Sequence, residues 1–270
     1  MQKLNFGCGK KFAKDWTNID FHSTHSYVKA VNLLNGFPFS DRFFDVVYSS
    51  HVLEHFTKDQ AWFLLQEAYR VLKPQGIVRI VVPDLEGLCR EYLRVLDLPE
   101  GDRQKADQYE WIIIELLDQS VRTQTYGEMG KFYIKLNQGE DSELKEYVQS
   151  RIGEIPNTDP VKLSWRDQIQ QLTFQEIYNK LIYLYLKLVS ALLPKNLRSM
   201  VFVQTMVGEH HRWMYDTYGL KRMLEKVGFS QVRAVIYQES AIPDFNADCL
   251  DCNADGSPYK VNSIYVEARR

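Results

Sequence analysis

The chain has 270 residues, of which 45% are hydrophobic and 25% charged, the composition of an ordinary globular protein. Its formal net charge of -2 provides no general positive field, so no nucleic-acid partner is expected. No run of about 18 uninterrupted apolar residues occurs, so no membrane-spanning helix is expected either. The length allows one elaborated domain with a substantial core.

The four cysteines bear on compartment and metal binding. No signal peptide precedes the first apolar segment, so we expect a reducing, cytoplasmic environment. Cys249 and Cys252 form a lone CxxC, whereas a zinc site usually needs four ligands. We therefore expect a hairpin loop with two incidental thiols rather than a metal site.

The first 83 residues alternate between short apolar segments and helical periodicity. The segment from Lys58 to Leu72 has its apolar residues at helical spacing, and Lys73 to Gly76 is predicted to end that helix. Strands are predicted at residues 4–6, 16–20, 28–34, 43–49 and 77–82. Such alternation predicts a parallel sheet with crossover helices.

The middle of the chain, residues 84–207, has a mostly helical period and is predicted to be a helical insertion, or cap, within a single domain of residues 1–270. Its most apolar stretch runs from Leu181 to Leu193. We expect this stretch to be a buried helix, and the alternative is a helix that rests on a membrane surface. The regular pattern then resumes, with a helix from Leu220 to Val227 and strands at residues 232–237 and 262–268.

Glycines directly after the first predicted strand are the first chemical signal. Gly7 and Gly9 would let a ligand approach the backbone closely, but Phe12 stands where a dinucleotide-binding fingerprint has its third glycine. Asp20 ends the second predicted strand, where a carboxylate can accept hydrogen bonds from ribose hydroxyls. The short interval from Gly7 to Asp20 leaves little room for the helix N-terminus that a pyrophosphate prefers, which favours a ligand without phosphates.

Two groups of histidines are the second signal. His51 and His55 are four residues apart, with Glu54 between them, and one of these imidazoles can deprotonate an acceptor hydroxyl. The pattern lacks the central Glu of the HExxH zinc motif, so we expect no metal. The alternative is that Glu54 and His55 only cap or pack a helix.

The second group comprises His210, His211, Trp213 and Tyr215, just before the final helix. Aromatic faces pack against sugars and other rings, so this group can form the floor of an acceptor pocket. The alternative is that it anchors the final helix by hydrophobic contact.

Four segments together carry a family resemblance: LNFGCG, NID, PFSDRFFDVVYSSHVLEH and RVLKPQGIVRIVVPD. They resemble the class I S-adenosylmethionine-dependent methyltransferases, in particular a compact bacterial-type group with a shortened first loop that is often linked with cell-surface glycan assembly. The resemblance covers about Leu4 to Asp84, and a weaker one covers His210 to Glu267. It implies an α/β Rossmann-like sandwich with a mostly parallel sheet, an antiparallel C-terminal hairpin and a helical insertion.

The resemblance also assigns roles to residues. Gly7, Cys8 and Gly9 would lie against the methionine part of S-adenosylmethionine, and Asp20 would hold its ribose. The remaining cofactor-binding candidates are Asn32 and Leu33 at the adenine, with Ser49 and Ser50 at the end of the fourth strand. The candidate catalytic residues are His51, His55 and His211.

The predicted reaction is methyl transfer to a small polar molecule or glycan, on oxygen by family habit. Two alternatives remain at this point. One is a catalytically inactive cofactor-binding protein of the same fold, and the other is an NAD-dependent oxidoreductase.

Overall fold

A computed structural model describes residues 1–23, 25–156, 174–193 and 209–270. Within these ranges seven strands form one sheet in the order β3-β2-β1-β4-β5-β7-β6. The strands are β1 (Lys3–Phe6), β2 (Thr17–Asp20), β3 (Val28–Ala30), β4 (Phe44–Ser50), β5 (Leu72–Pro83), β6 (Ser230–Val235) and β7 (Ser263–Arg269).

The direction of the strands confirms the predicted fold class. Strands β3, β2, β1, β4 and β5 pair in parallel, and β7 lies antiparallel between β5 and β6. The central strands β4 and β5 are almost entirely buried, as expected for a sheet covered on both faces. Because β1, β2 and β4 are parallel neighbours, their carboxyl ends meet at one edge, where open α/β sheets bind ligands.

The helices of the described ranges are α1 (Lys58–Val71), α2 (Leu85–Leu96), α3 (Lys105–Val121), α4 (Gly127–Gln138), α5 (Ser142–Ile152), α6 (Phe174–Leu192) and α7 (Thr217–Val227). Helices α2 to α6 fall within residues 84–207, which confirms the helical character of that segment where it is described. Residues 157–173 and 194–207 of the segment lie outside the described residues, and the division into domain and insertion stays a prediction.

Helix α1 shows why the sequence folds as it does beside the sheet. Thr57 accepts a hydrogen bond from Gln60 N, and the Gln60 side chain accepts one from Thr57 N, which forms a capping box. Ala61, Leu64 and Ala68 lie on one face, are fully buried and pack in the main core with both central strands. The predicted helix is therefore confirmed, with its last residue at Val71.

Two predicted strand boundaries were wrong for local reasons. The third strand ends at Ala30, because the Asn32 side chain accepts a hydrogen bond from Leu34 N and caps a short 3-10 helix at Leu33–Asn35. The fifth strand begins at Leu72 instead of residue 77, because the chain enters the sheet directly where α1 ends.

The apolar helix α6 is not buried as predicted. Leu184, Leu188 and Leu192 are 55%, 62% and 86% exposed. Apolar residues follow one another so closely from Leu181 onward that they cannot share a single face, so one neighbour cannot cover them all. None of the helices in the described ranges combines the length and apolar character that a bilayer crossing requires.

Candidate functional site

The carboxyl ends of β1 and β4 border a cavity of about 160 Å³. It contains the predicted site residues Gly7, Cys8, Gly9, Ser50 and His51. The rest of its lining is Asn5, Lys10, Lys11, Tyr48, Leu250, Tyr259 and Lys260. The structure thus brings the predicted glycine turn and the end of β4 together at the ligand-binding edge of the sheet.

The two glycines of the turn are required for different reasons. Both have a positive φ, 66° at Gly7 and 53° at Gly9, a conformation that disfavours side chains. A Cβ at Gly7 would lie 2.3 Å from a methyl carbon of Val52, so this glycine serves the packing of the turn against the protein itself. A Cβ at Gly9 would meet nothing within 4 Å, so the space beside Gly9 is free for a ligand.

Asp20 fixes the shape of the turn from the end of β2. Its Oδ2 accepts a hydrogen bond of 2.8 Å from Gly9 N, and its Oδ1 accepts one of 3.3 Å from His22 N. Asp20 does not line the cavity itself but lies directly behind Gly9. Its carboxylate is therefore placed to join the turn to a ligand that extends beyond the cavity.

Three other predicted cofactor residues do not line the cavity. The Leu33 side chain is 2% exposed and packs in the main core, so only its backbone can reach a ligand. Ser49 is buried and its Oγ donates to Phe6 O at 3.1 Å. Asn32 uses its side-chain oxygen for the cap described above.

Cys8 lies in the turn but is only 7% exposed. Burial, reinforced by the negative charge of Asp20, raises the pKa of the Cys8 thiol to about 12. The thiol is therefore neutral at physiological pH and contributes a small apolar surface to the site.

Sequence reasoning missed the contribution of the chain between β6 and β7. This segment brings Leu250, Tyr259 and Lys260 over the glycine turn. Lys11 ties the two parts together, because its Nζ donates to Cys252 O at 3.0 Å and lies 4.4 Å from the centre of the Tyr259 ring. The sequence analysis noted only the CxxC in this segment and interpreted it as a hairpin loop with two incidental thiols, not as a wall of the site.

A buried ionic network holds that segment in place. Arg79 of β5 donates to Asp251 at 2.6 Å and to Glu267 at 2.8 Å, and all three side chains are at most 3% exposed. Tyr48 of β4 also donates to Asp251, at 2.5 Å. An arginine in the middle of a buried strand is anomalous for a core, and its partners explain it.

His51 follows β4 directly and is held on both sides of its ring. Its Nδ1 lies 3.3 Å from Oε1 of Glu54, and its Nε2 lies 2.9 Å from the Ser263 hydroxyl. The residue adopts φ 53°, uncommon for a side chain other than glycine, and its backbone N–H is held by Val81 O at 2.9 Å. Strained backbone that the surroundings hold in place often marks a functional position.

Glu54 lies behind His51 and is fully buried. Burial alone would raise the pKa of Glu54, but contact with His51 and the nearby His55 and His211 outweigh it, and the pKa is lowered. The carboxylate is therefore ionised inside the protein. His55 and His211 lie beside it with their ring centres 5.0 Å apart, so the structure gathers all three predicted catalytic histidines around one carboxylate.

The sequence comparison finds a family match for the first part of the chain. Residues 11–80 match the family described as a methyltransferase domain. This part of the chain is therefore similar to a methyltransferase domain. The mostly parallel sheet with its antiparallel C-terminal strands agrees with the fold that the sequence resemblance implied.

Comparison with solved structures finds distant likenesses to this chain. A SAM-dependent methyltransferase from Archaeoglobus fulgidus is 12% identical, with 100% of this chain and 86% of that chain covered and a TM-score of 0.37. A putative methyltransferase from Bacillus halodurans is 14% identical, with 99% and 91% covered and a TM-score of 0.36. The YcgJ protein from Bacillus subtilis is 18% identical with a TM-score of 0.27, over 36% of this chain and about half (52%) of that chain. The search of curated protein sequences finds no match to this chain.

The aromatic and imidazole group before α7 is divided between two places in the structure. His211 is buried beside Glu54, whereas Trp213 is 41% exposed, with Lys58 Nζ 3.9 Å from its ring centre. Trp213 and Tyr215 belong to a second, larger cavity of about 470 Å³ between the first turns of α1 and α7. Tyr215 lies between the larger cavity and Glu54. It lines that cavity, and burial together with the charge of Glu54 raises the pKa of its hydroxyl.

Proposed function

We propose that this protein transfers a methyl group from S-adenosylmethionine to a hydroxyl oxygen of a small polar acceptor, such as a sugar or glycan. The observation that carries this proposal is the position of His51. It stands at the rim of the cavity beside the glycine turn, with one ring nitrogen against a buried carboxylate and the other against a hydroxyl. This is the arrangement of a general base.

The cofactor fits the residues at the strand ends. Gly9 leaves open space beside the turn, and Lys10 lines the same cavity as a candidate partner for the cofactor carboxylate. Asp20 would accept hydrogen bonds from the ribose, and Asn32 would approach the adenine with its remaining groups. S-adenosylmethionine supplies a methyl group made electrophilic by a positively charged sulfur, so the protein's main tasks are to align the acceptor and exclude water.

His51 is proposed to take the proton of the acceptor. Its Nδ1 faces Glu54, which favours a proton on that nitrogen and leaves the lone pair of Nε2 towards Ser263. An acceptor hydroxyl that takes the place of the Ser263 hydroxyl would give its proton to Nε2 as the oxygen attacks. Glu54 would then stabilise the charged imidazole, as a carboxylate does in other His-based catalytic sites.

The acceptor is proposed to lie towards the larger cavity. Trp213 offers a half-exposed ring face, and the charged side chains of Lys58, Asp59 and Arg222 can hydrogen-bond hydroxyl groups. Trp213→Ala should therefore raise the KM for the acceptor or lower turnover, while affinity for S-adenosylmethionine changes little.

The experiment that tests the function is transfer of a labelled methyl group. The protein is incubated with methyl-labelled S-adenosylmethionine and sets of sugars, polyols, phenols and amines, and the products are analysed by mass spectrometry. We expect a methyl ether on a hydroxyl-bearing acceptor. Labelled amines alone would contradict oxygen as the target, and cofactor binding with no transfer to any acceptor would support an inactive binding protein instead.

The role of His51 is tested separately from binding. His51→Gln should lower kcat by a factor of about 10² to 10⁴, the usual contribution of a general base. Affinity for S-adenosylhomocysteine should change little, which calorimetry measures. His25→Gln is the matched control, because His25 is an exposed histidine whose ring contacts are Phe12 and Tyr27.

A further inference from the structure

The Glu54 carboxylate has an unusual environment. The side chain is 0% exposed, yet neither of its oxygens has a hydrogen-bond donor among the described residues. The Nδ1 of His51 lies 3.3 Å from Oε1 of Glu54, but without the geometry of a hydrogen bond. A buried ionised carboxylate normally collects strong donors or a metal ion, since removal from water is costly.

The imidazoles of His55 and His211 lie close enough to Glu54 to bind such an ion together with it. One nitrogen of His55, one nitrogen of His211 and one oxygen of Glu54 lie within 4.8 Å of one another. To make bonds of about 2.0–2.2 Å to one ion, the three side chains would have to move only slightly towards one another. Glu54 and His55 lie in the turn after β4, and His211 lies in the segment before α7. Because these segments are far apart in the chain, no local sequence motif reveals the site.

The hydrogen bonds of His55 orient it as a ligand. Its Nδ1 lies 3.1 Å from His210 O, and because a carbonyl only accepts, Nδ1 carries the proton. The Nε2 lone pair is then free, and Nε2 lies 4.0 Å from Oε1 of Glu54. A histidine that donates its second nitrogen to a backbone carbonyl is the usual arrangement around protein-bound metals.

His211 is held in a comparable way by the insertion. Its Nε2 contacts the Gln119 side chain of α3 at 3.0 Å, and its backbone N–H donates to Gln119 O at 2.8 Å. The Gln119 amide can turn its oxygen towards Nε2–H of His211. In that orientation the Nδ1 lone pair of His211 remains available to a metal ion.

We propose that Glu54, His55 and His211 bind a divalent transition-metal ion. Two imidazoles and one carboxylate suit Zn²⁺ and its neighbours in the first transition row, and imidazole does not suit Mg²⁺ or Ca²⁺. Three protein ligands leave coordination positions open. If the proposed function holds, one of them can take the acceptor oxygen, which lies near His51; binding of the ion itself does not depend on that function.

The test measures metal binding without turnover. The full-length protein is treated with a chelator, dialysed and titrated with Co²⁺ and Zn²⁺ by calorimetry and visible absorption, in a Cys249→Ser/Cys252→Ser background that removes the CxxC thiols. We expect one equivalent of Co²⁺ with d–d absorption, displaced by Zn²⁺, and a metal-dependent rise in Tm.

Variants locate the site. Glu54→Gln and His211→Asn should weaken binding at least about 100-fold, more than the 10- to 100-fold typical of residues that only orient a ligand. His25→Gln should bind as the parent does. Because Glu54 and His211 are buried, the partly exposed His55→Gln is included as a variant expected to fold, which circular dichroism verifies.

The results separate the possibilities. Failure of the parent to bind either ion, or binding that persists in folded His55→Gln and Glu54→Gln proteins, would overturn the metal site. A metal site with no methyl transfer would leave the inference standing and count against the proposed function. Methyl transfer that is undiminished by chelation, with no bound Co²⁺, would overturn the metal site and leave the proposed function standing.

Discussion

Nε of Arg79 lies 2.6 Å from Oδ2 of Asp251, and both side chains are buried. Arg79 belongs to the central strand β5, whereas Asp251 belongs to the segment between β6 and β7 that covers the cavity at the glycine turn. The ion pair therefore connects the interior of the sheet with one wall of the site. Glu267 on β7 neutralises the second side of the same guanidinium, at 2.8 Å.

Loss of Arg79 should damage stability and cofactor binding together. Arg79→Ala leaves the buried Asp251 without its ion-pair partner and leaves Glu267 with only the more exposed Arg233, which should cost about 3–5 kcal/mol in the free energy of unfolding. Denaturant unfolding measures that cost, and calorimetry with S-adenosylhomocysteine measures the effect on the wall. Arg233 is the matched control, because it pairs with the same Glu267 but is 55% exposed, and Arg233→Ala should cost less than about 1 kcal/mol. Equal stability of the two variants would refute the role given to the buried pair.

Gly7 and Gly9 should respond differently to alanine. Gly7→Ala should destabilise the protein, because its Cβ would collide with Val52, and Val52→Ala in the same chain should partly restore stability. Gly9→Ala should cost only about 1–2 kcal/mol for its left-handed backbone, yet weaken cofactor binding by filling the open space. Thermal unfolding and cofactor calorimetry on each variant check both statements. A stable Gly9→Ala protein with full cofactor affinity would remove that turn from the site.

Asp20 should contribute to cofactor affinity through charged hydrogen bonds. Asp20→Ala should weaken S-adenosylhomocysteine binding by about 1.5–3 kcal/mol, the range for hydrogen bonds to charged groups. The control is Asp15→Ala, since Asp15 is 65% exposed and contacts only Lys3 among the ion pairs of the described residues. Unchanged affinity in the Asp20 variant would transfer the ribose contact to another residue.

Glu67 should make stability depend on pH. The hydrogen bonds from Arg70 lower the pKa of Glu67, and Phe37 N also donates to it, at 2.6 Å. A lowered carboxyl pKa stabilises the folded state above the unfolded value of about 4.3, and this contribution is lost as pH falls through the folded pKa. Glu67→Gln should therefore be less stable than the parent by about 1 kcal/mol at pH 7. The two Tm curves should converge below about pH 4, and a constant gap across pH would contradict this assignment.

Much of the fold was predictable because its signals are local. The helix α1 carries its cap, its apolar face and its stop within 20 consecutive residues, and β4 and β5 contain the short apolar runs Val46–Tyr48 and Ile80–Val82. The glycine turn and Asp20 were also accessible, since each follows directly after a predicted strand. Helix α6 was mispredicted because periodicity reports how apolar a segment is and not whether a neighbour covers it.

The site was only half predictable, because its remaining parts come from distant segments. Nothing near Arg79 in the sequence announces Asp251, 172 positions away, and the wall formed by Tyr259 and Lys260 depends on that pair. The histidines were recognised as candidates one by one. Their convergence on Glu54 follows from the backbone carbonyl of that residue, which accepts from Arg212 N at 2.7 Å and so brings the distant segment beside the turn.

The antiparallel position of β7 has a consequence for the nascent chain during translation. Because β7 fills the place between β5 and β6, the inner edge of β5 has no partner until residues 263–269 have left the ribosome. An unpaired apolar edge is a template for aggregation, so the nascent chain carries that hazard throughout synthesis of residues 84–262. We therefore expect chains that stop before β7 to aggregate more readily than the full-length protein.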